Sequence, residues 1–587
     1  MTLVFVARLA LAVRFNLFPD ETLYAWQSET MPGSFCPHPP GVLLMVRLGI
    51  ALLGKTELGV RIFPLLLNTL SVVPMWLLAR EVGAAQNAAV AQNAAVAQNV
   101  GTSKERGAAQ GNDLQNGDSQ NKERAETTAF WSVLAMLAAP LYFAFGAITT
   151  PDGGQLFFWL CGLLLAWRAL NTNQMRWWIA VGAAIGVGLF VKYILILFFP
   201  ALFLCLLLTP QWRRRLLSPG PYVAVIVALL LFLPPFLRFE YSNDWMTVHY
   251  HLGQRQNKQA VNLLDVAVYQ GVHAAYLSPL LYIGAIWGAM WALRRGLKGD
   301  KGQSNEVKCD SAKGDCVKGD SAKGDSAKEG RAALVFLFCF AAVPYLFFAL
   351  IASFTRRDLS REQWDAPSYL TALVAGVLMV QHKVQQVRSL RWRKLGMAAI
   401  CLGFAMSMCM VIEATGNLFS RILNKPPFLS NLVYTREMAV QVDKRVRDER
   451  VRSASFKPDV LVGGTFTTTL AYAFYGREVR RYYTIGQKFN ARYGLVGVLR
   501  SIEIEPDFAQ REGGRNVLLI IERPGDPVKA RLWRQQQMRD LRAAFTSVQE
   551  EAPLEIRYRN RFVTRFYLWQ CRGLKKIPAG WLIDLSK

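Results

Sequence analysis

DETLYAWQSETMPGSFCPHPPG, residues Asp20 to Gly41, follows directly on the apolar run Met1–Phe18. An acidic pair and a proline-flanked histidine at the end of an apolar segment mark a turn at a membrane surface, and the rest of the chain is read outward from it. As a helix, at ~1.5 Å per residue, Met1–Phe18 is about 27 Å long, barely enough to cross the hydrocarbon core, which leaves room for residues before Met1. Arg8 near its middle must face protein or water. A cleavable leader is not expected, because the run lacks a basic start and Arg8 interrupts it.

On the other side, Val42–Gly54 is apolar but short and carries Arg47, which suits an interfacial or re-entrant segment. Spans are predicted at Val60–Ala79, Ala129–Ile148 and Gly153–Trp167, the last two parted by the acidic turn Thr149–Asp152. Trp177–Leu208 is too long for one span and reads as two short helices meeting at Lys192 and Tyr193. Further spans follow at Tyr222–Phe236, Tyr276–Leu293, Ala332–Ser353, Pro367–Gln381 and Leu395–Ala414. Residues 80–128, with an AQNAAV repeat, and 294–331, with KGDSA repeats, read as low-complexity, disordered insertions that carry no chemistry.

The 587 residues are 52% apolar with a net charge of +26. Nucleic-acid binding is excluded, because the basic residues fall in short clusters between apolar blocks, as the positive-inside rule expects. Arg213–Arg215, the Lys383–Lys394 loop and both insertions share the cytoplasmic side, which gives about eleven spans with the N-terminus inside. Asp20–Gly59, Thr149–Asp152, Lys192, Arg238–Ala275 and Phe354–Ala366 then share the outer face. The predicted fold is an all-α polytopic membrane domain over 1–414, with its first outer loop at 19–59, and a small extracytoplasmic α/β domain over 415–587. In the latter, Lys457–Gly463 and Asn516–Glu522 read as strands and Leu432–Arg452 and Asp526–Ala544 as helices. Its basic excess suits an anionic surface or glycolipid. The nine cysteines, mostly within apolar blocks, read as packed hydrophobes.

Two readings stand for Asp20 and Glu21. They cap a helix and favour its dipole, or they place a carboxylate base at the mouth of a cavity, with Tyr24 one turn along. His38 is a loop histidine or a site residue; with His249, His251 and His273 it is one of four of the five histidines expected on the outer face. His249 and His251 pack among interfacial aromatics or contribute to a metal site. Asp152 caps the helix that follows, and Lys192 snorkels; alternatively a cation at Lys192 stabilises a departing lipid phosphate while a carboxylate takes a proton from an attacking hydroxyl.

The run DETLYAW, HPPG, LGKTELGVRIFP, ITTPDG, GLFVKY and RFEYSNDW, with weaker echoes at QWDAPSYL, AFYGRE and FYLWQCRG, resembles the GT-C membrane glycosyltransferases. Among these it is similar to the lipopolysaccharide-core galacturonosyltransferases, the lipid A aminoarabinose transferases and the polyprenyl-phosphate-mannose protein mannosyltransferases. The similarity covers roughly Phe15–Leu280, with Pro37 where an acidic residue often precedes HPP and Phe239-Glu240 in place of Trp-Asn. The resemblance implies a GT-C-like inner-membrane enzyme. It would move a sugar with inversion from a polyprenyl-phosphate donor to a glycolipid (lipid A or lipopolysaccharide core) or protein hydroxyl at the outer face. Asp20 and Glu21 would be catalytic, Asp20 as base. Tyr24, His38, Asp152, Lys192, Tyr193, His249 and His251 would line the substrate pocket among membrane lipids. No certain cofactor is implied, and a divalent metal ion stays open. The alternative is a transporter or flippase of lipid-linked sugars, which should show broken helices at the midplane and a repeat relating two halves.

Overall fold

The computed structural model describes residues 2–99, 110–254, 263–298, 320–354, 363–387, 389–416, 418–422, 431–452, 457–485, 498–499, 501–504, 507–523, 527–558, 561–578 and 581. The chain opens with α1 (Thr2–Arg14) and α2 (Pro19–Thr30), which meet at a 77° bend. Pro19 starts α2 with its fixed φ, Asp20 and Glu21 fill the first turn, and the Glu21 carboxylate accepts the Phe18 N–H at 2.8 Å, so an orphan donor at the helix start is satisfied. Next come the short apolar α3 (Pro40–Leu53), α4 (Glu57–Leu70), α5 (Val72–Asn99), α6 (Gln110–Ala138) and the one-turn α7 (Pro140–Phe145). They are followed by α8 (Pro151–Thr172), α9 (Met175–Leu189), α10 (Phe198–Leu208), α11 (Gly220–Ser242), α12 (Leu263–Leu277), α13 (Pro279–Leu297), α14 (Asp320–Phe354), α15 (Ala366–Val387) and α16 (Leu390–Gly416).

This is a multi-pass membrane protein. Among the described residues five helices are long and apolar enough to cross a bilayer, and up to eight if each bent pair counts as one span. Arg8 faces protein, as expected: it is buried and donates to the Tyr142 carbonyl at 2.6 Å. The break expected at Lys192 and Tyr193 is present, with a short 3-10 turn (Tyr193–Leu197) between α9 and α10.

Three expectations are corrected. The described parts of the two insertions are helical, through Asn99 in α5 and from Gln110 in α6, and from Asp320 in α14; alanine and glutamine lengthen a helix once a span has nucleated it. Residues 100–109 and 299–319 of those insertions lie outside the described residues. The outer segment Arg238–Ala275 is partly helical, since α11 runs to Ser242 and α12 begins at Leu263, and the span after it starts at Pro279, bent by 109° from α12. His273, read with the outer-face histidines, lies inside the protein and not on its surface. It is fully buried on α12, 2.8 Å from Asp365, which also accepts the Tyr269 and Tyr369 hydroxyls at 2.6 and 2.8 Å. A buried carboxylate is tolerable only with such partners, and they join α12 to the start of α15.

The C-terminal part begins with α17 (Asn431–Arg452) and adds β1 (Val460–Gly463), α18 (Phe466–Tyr475), β2 (Arg481–Thr484), β3 (Val517–Glu522), α19 (Pro527–Ala544), β4 (Phe545–Glu550), β5 (Leu554–Tyr558) and β6 (Arg561–Leu574). The described strands form one sheet in the order β2-β1-β3-β6-β4, with β5 also on β6; β1 runs parallel to β2 and β3, and β6 antiparallel to β3. Val460, Leu461 and Val462 and the run Val517–Ile520 are buried on both faces, as near-continuous apolar strands between two layers should be. Cys571 sits inside this sheet opposite Val517 and Val548, and burial pushes its thiol up to about 12, so it packs as a hydrophobe.

Gly41 shows how the first outer loop is bolted to the α9 break. Its N–H donates to the Phe190 carbonyl at 2.7 Å, and a β-carbon there would lie 2.4 Å from that same oxygen. Gly41→Ala is expected to destabilise the protein by about 1–3 kcal/mol, the usual cost of overpacking, whereas Gly33→Ala, where nothing lies within 4 Å, should stay within about 0.5 kcal/mol. Thermal unfolding of the two variants in detergent, side by side, checks the contrast.

Candidate functional site

Glu21 is fully buried, and four protein donors converge on it. Arg61 Nε and Nη2 reach Oε1 and Oε2 at 2.7 and 2.5 Å, the Thr149 N–H reaches Oε1 at 2.6 Å, and the Phe18 N–H completes the set. The Arg61 guanidinium, buried too, spends its other N–H groups on the carbonyls of Ala12, Phe15 and Asn16 at 2.7–2.8 Å. The planar fork of arginine suits this bidentate work, where a lysine would leave acceptors unmet. One ion pair thus fixes the end of α1, the start of α2, α4 and the TTPD turn before α8. Thr149 adds a second tie, its hydroxyl donating to the Val60 carbonyl at 2.9 Å.

Asp20, the neighbour of this anchor, is exposed on the first turn of α2. The adjacent carboxylates therefore differ in setting: one is consumed by protein donors, the other faces outward. Tyr24, one turn along, is buried, and its ring meets the half-buried His38 ring edge-on at 5.9 Å.

The segment Ser34–His38 forms the next wall. Gln27 Nε2 donates to the Cys36 carbonyl at 3.0 Å, the Tyr193 hydroxyl donates to the Phe35 carbonyl, and the His251 ring nitrogen lies 3.2 Å from the Pro37 carbonyl. Tyr193 and His251 also meet edge to face at 5.3 Å. Beneath, the Phe35 ring packs against Phe190, Phe232, Phe236 and Phe239 at 5.5–6.1 Å, an aromatic plug that holds the loop down on α11. Lys192 and Asp152 form a buried ion pair, the lysine at the α9 break and the aspartate in the first turn of α8.

Of the residues singled out in the sequence, Tyr24 and His38 meet, Tyr193 and His251 meet over the same loop, and Asp152 meets Lys192. His249 goes elsewhere. It is exposed, with Nδ1 3.1 Å from the Asp244 carbonyl. Among the described residues no three His, Cys, Asp or Glu side chains gather to hold a metal ion. Glu240 is fully buried and accepts the N–H groups of Thr247 and Val248 at 3.3 and 3.2 Å, and so shapes the turn that aims His251.

Sequence reasoning missed Arg61, although it lies inside the LGKTELGVRIFP motif; an arginine in the first turns of an apolar segment was the available signal. It also missed the covering of α2 by the C-terminal domain. Phe466 and Leu470 of α18 pack with Leu23, Trp26 and Cys36, and the Tyr475 hydroxyl accepts the Leu17 N–H at 2.7 Å. Burial, with the charge of Glu57 next in size, raises the pKa of Tyr475 and keeps it a neutral phenol.

With the geometry in place, comparison with known proteins is informative. The solved structure of apo ArnT from Cupriavidus metallidurans aligns over 97% of this chain and 96% of its own, with a TM-score of 0.50 at 13% identity. The fold is ArnT-like. ArnT bound to undecaprenyl phosphate aligns over the same shares at a TM-score of 0.48 and 14% identity. The sequence model of the dolichyl-phosphate-mannose-protein mannosyltransferase family matches residues 123–237. An undecaprenyl phosphate-alpha-4-amino-4-deoxy-L-arabinose arabinosyl transferase from Pseudomonas fluorescens is 30% identical over 240 residues, which make up 38% of this chain. The match spans 37% of that curated relative's length. The chain resembles the GT-C membrane glycosyltransferases, and among them the lipid A aminoarabinose transferases, as its motifs indicate.

Removing one member of the buried pair strands the other. Arg61→Met is expected to cost about 3–5 kcal/mol, and Arg61→Met with Glu21→Met to recover part of it, since two apolar side chains leave no uncompensated charge. Unfolding midpoints of the single and double variants by fluorescence-detected size exclusion check this. A double variant no more stable than the single would overturn it.

Proposed function

We propose that the protein is an integral glycosyltransferase of the bacterial inner membrane. It moves a sugar from a polyprenyl-phosphate donor to a hydroxyl of an envelope glycolipid, lipid A or lipopolysaccharide core, or of a protein, at the outer face. The observation that carries the proposal is the contrast between Glu21 and Asp20 in an ArnT-like fold: a saturated, buried carboxylate sets the helix, and the one just before it in the chain stands exposed. A helix start held by the five hydrogen bonds of Arg61 and Glu21 to other protein groups, and by the two between them, is the kind of rigid support a reacting group needs.

In the reaction, Asp20 accepts the proton of the acceptor hydroxyl as its oxygen attacks the anomeric carbon. The bond from that carbon to the phosphate oxygen breaks, and its electron pair leaves with the polyprenyl phosphate. Attack and departure on opposite faces give inversion. Lys192, held in place by Asp152, steadies the charge that develops on the phosphate, in a setting that excludes water and strengthens the interaction. Tyr24, His38, Tyr193 and His251 line the approach. Glu21 acts as a positioning residue through Arg61. The topology that fits is about eleven spans, with the basic loops cytoplasmic and the C-terminal domain extracytoplasmic, lying over α2.

Asp20→Asn is expected to lower transfer by about 10²–10⁴-fold, the range of a lost general base, with the protein still folded and inserted. Lys192→Ala should weaken use of the donor. The checks are mass spectrometry of lipid A and core oligosaccharides from cells carrying each variant, and turnover with a polyprenyl-phosphate sugar in detergent. Unchanged products from Asp20→Asn would sink the assignment of the base, and a Lys192→Ala effect on acceptor affinity alone would sink the phosphate role.

A further inference from the structure

Helices α6, α13, α15 and α16 enclose an apolar cavity of about 410 Å³ that takes no part in the site described above. Exposed Ile283, Trp287, Leu395 and Met397 are part of its lining, so it is open along the flank of the bundle. Its mouth is ringed by Arg124, Thr127, Gln381, Gln385, Trp392 and Arg393, and its walls run inward past Ala135, Gly284, Leu373 and Ile400. From Arg124 to Ala135, at ~1.5 Å per residue, it extends about 16 Å, close to half the ~30 Å hydrocarbon core. That length is about the depth of a single leaflet.

Composition changes along that path. The rest of the lining is apolar, Trp131 and Trp287 among it, with Gly284 and Gly396 leaving room: a β-carbon at Gly284 meets nothing within 4 Å, and one at Gly396 meets only Val380, at 3.5 Å. The mouth is cationic and aromatic. Arg124 and Arg393 make no side-chain hydrogen bond or ion pair among the described residues, and Lys383 lies over the Trp392 ring at 6.0 Å. Tryptophan and arginine are the side chains that settle at headgroup level, and the Lys383–Lys394 loop beside the mouth is among the most basic of the chain. An apolar slot with two unmatched guanidinium groups at its rim is complementary to an acyl chain that carries an anion at its surface end.

We propose that this cavity is a binding site for one anionic phospholipid of the cytoplasmic leaflet. An acyl chain fills the slot between α6, α13, α15 and α16, and the headgroup phosphate rests on Arg124 and Arg393. The site shares the membrane sidedness of the proposed function but none of its residues, so it stands or falls apart from the catalytic assignment.

Native mass spectrometry of the full-length protein, released from micelles with equimolar phosphatidylglycerol and phosphatidylcholine, tests it. The wild type is expected to retain one phosphatidylglycerol, favoured about tenfold or more over phosphatidylcholine, the size expected of two cations near an anionic headgroup. Arg124→Gln with Arg393→Gln should abolish the preference. Gly284→Leu and Gly396→Leu, which fill the slot and keep its charges, should lose the retained lipid while keeping the wild-type unfolding midpoint. Equal retention of the two lipids by the wild type, a preference that survives loss of both arginines, or lipid retained at the wild-type level by the filled variants would each overturn the proposal. So would a second copy of the chain found bound in place of lipid.

Discussion

The buried ion pair of Arg61 and Glu21 is the constraint on which the candidate site of this protein depends. A carboxylate and a guanidinium, both removed from water, are tolerable only because nearly every donor and acceptor they own is used: two N–H groups of arginine on glutamate, the rest on three carbonyls at the end of α1, and two backbone N–H groups on the remaining capacity of the carboxylate. Those partners come from four separate parts of the chain, so the pair sets the 77° turn between α1 and α2 and the position of the TTPD turn together. The pair's value is geometric more than energetic, since an apolar replacement would cost little stability but would leave nothing to fix the angle.

Everything proposed for the reaction hangs from that angle. Asp20 is exposed because Glu21, one residue on and about 100° around the helix, points inward to Arg61. The Ser34–His38 loop is held by hydrogen bonds to its carbonyls from Gln27 and Tyr193, by the Phe35 aromatic plug, and by Gly41 against the α9 break. That break also carries Lys192, whose ammonium is turned toward Asp152 at the start of α8. Three helix ends and one loop thus meet through short polar contacts, each too local to specify the others alone. The C-terminal sheet domain closes the arrangement by laying α18 on α2, with Tyr475 capping the Leu17 N–H at the bend.

Much of this was legible before any coordinates. Apolar run length, the Lys192 break, the strands at Val460–Gly463 and Val517–Glu522 and the helix at Asn431–Arg452 follow from periodicity and from the bilayer's fixed thickness. The errors share a cause. The insertions read as disordered because repeats of small polar residues have no core to join, yet a flanking span nucleates helix into them. The burial of His273 was not foreseen because polarity along a sequence does not tell a solvated histidine from one satisfied by Asp365 and packed against Tyr369.

What the sequence determined by itself is the inventory: an acidic pair, a proline-held histidine, an aspartate and a lysine, all near the ends of apolar segments of a membrane protein. Hydrophobic length and basic loops are one-dimensional signals, and they suffice for that. Only the tertiary structure decided which acid is buried and which is exposed. Asp20 and Glu21 are neighbours of nearly equal chemistry, and the difference between an exposed carboxylate and a saturated one comes from Arg61, forty residues away in sequence and 2.5 Å away in space. Long-range polar satisfaction leaves no local pattern, because its partners are chosen by packing and not by spacing.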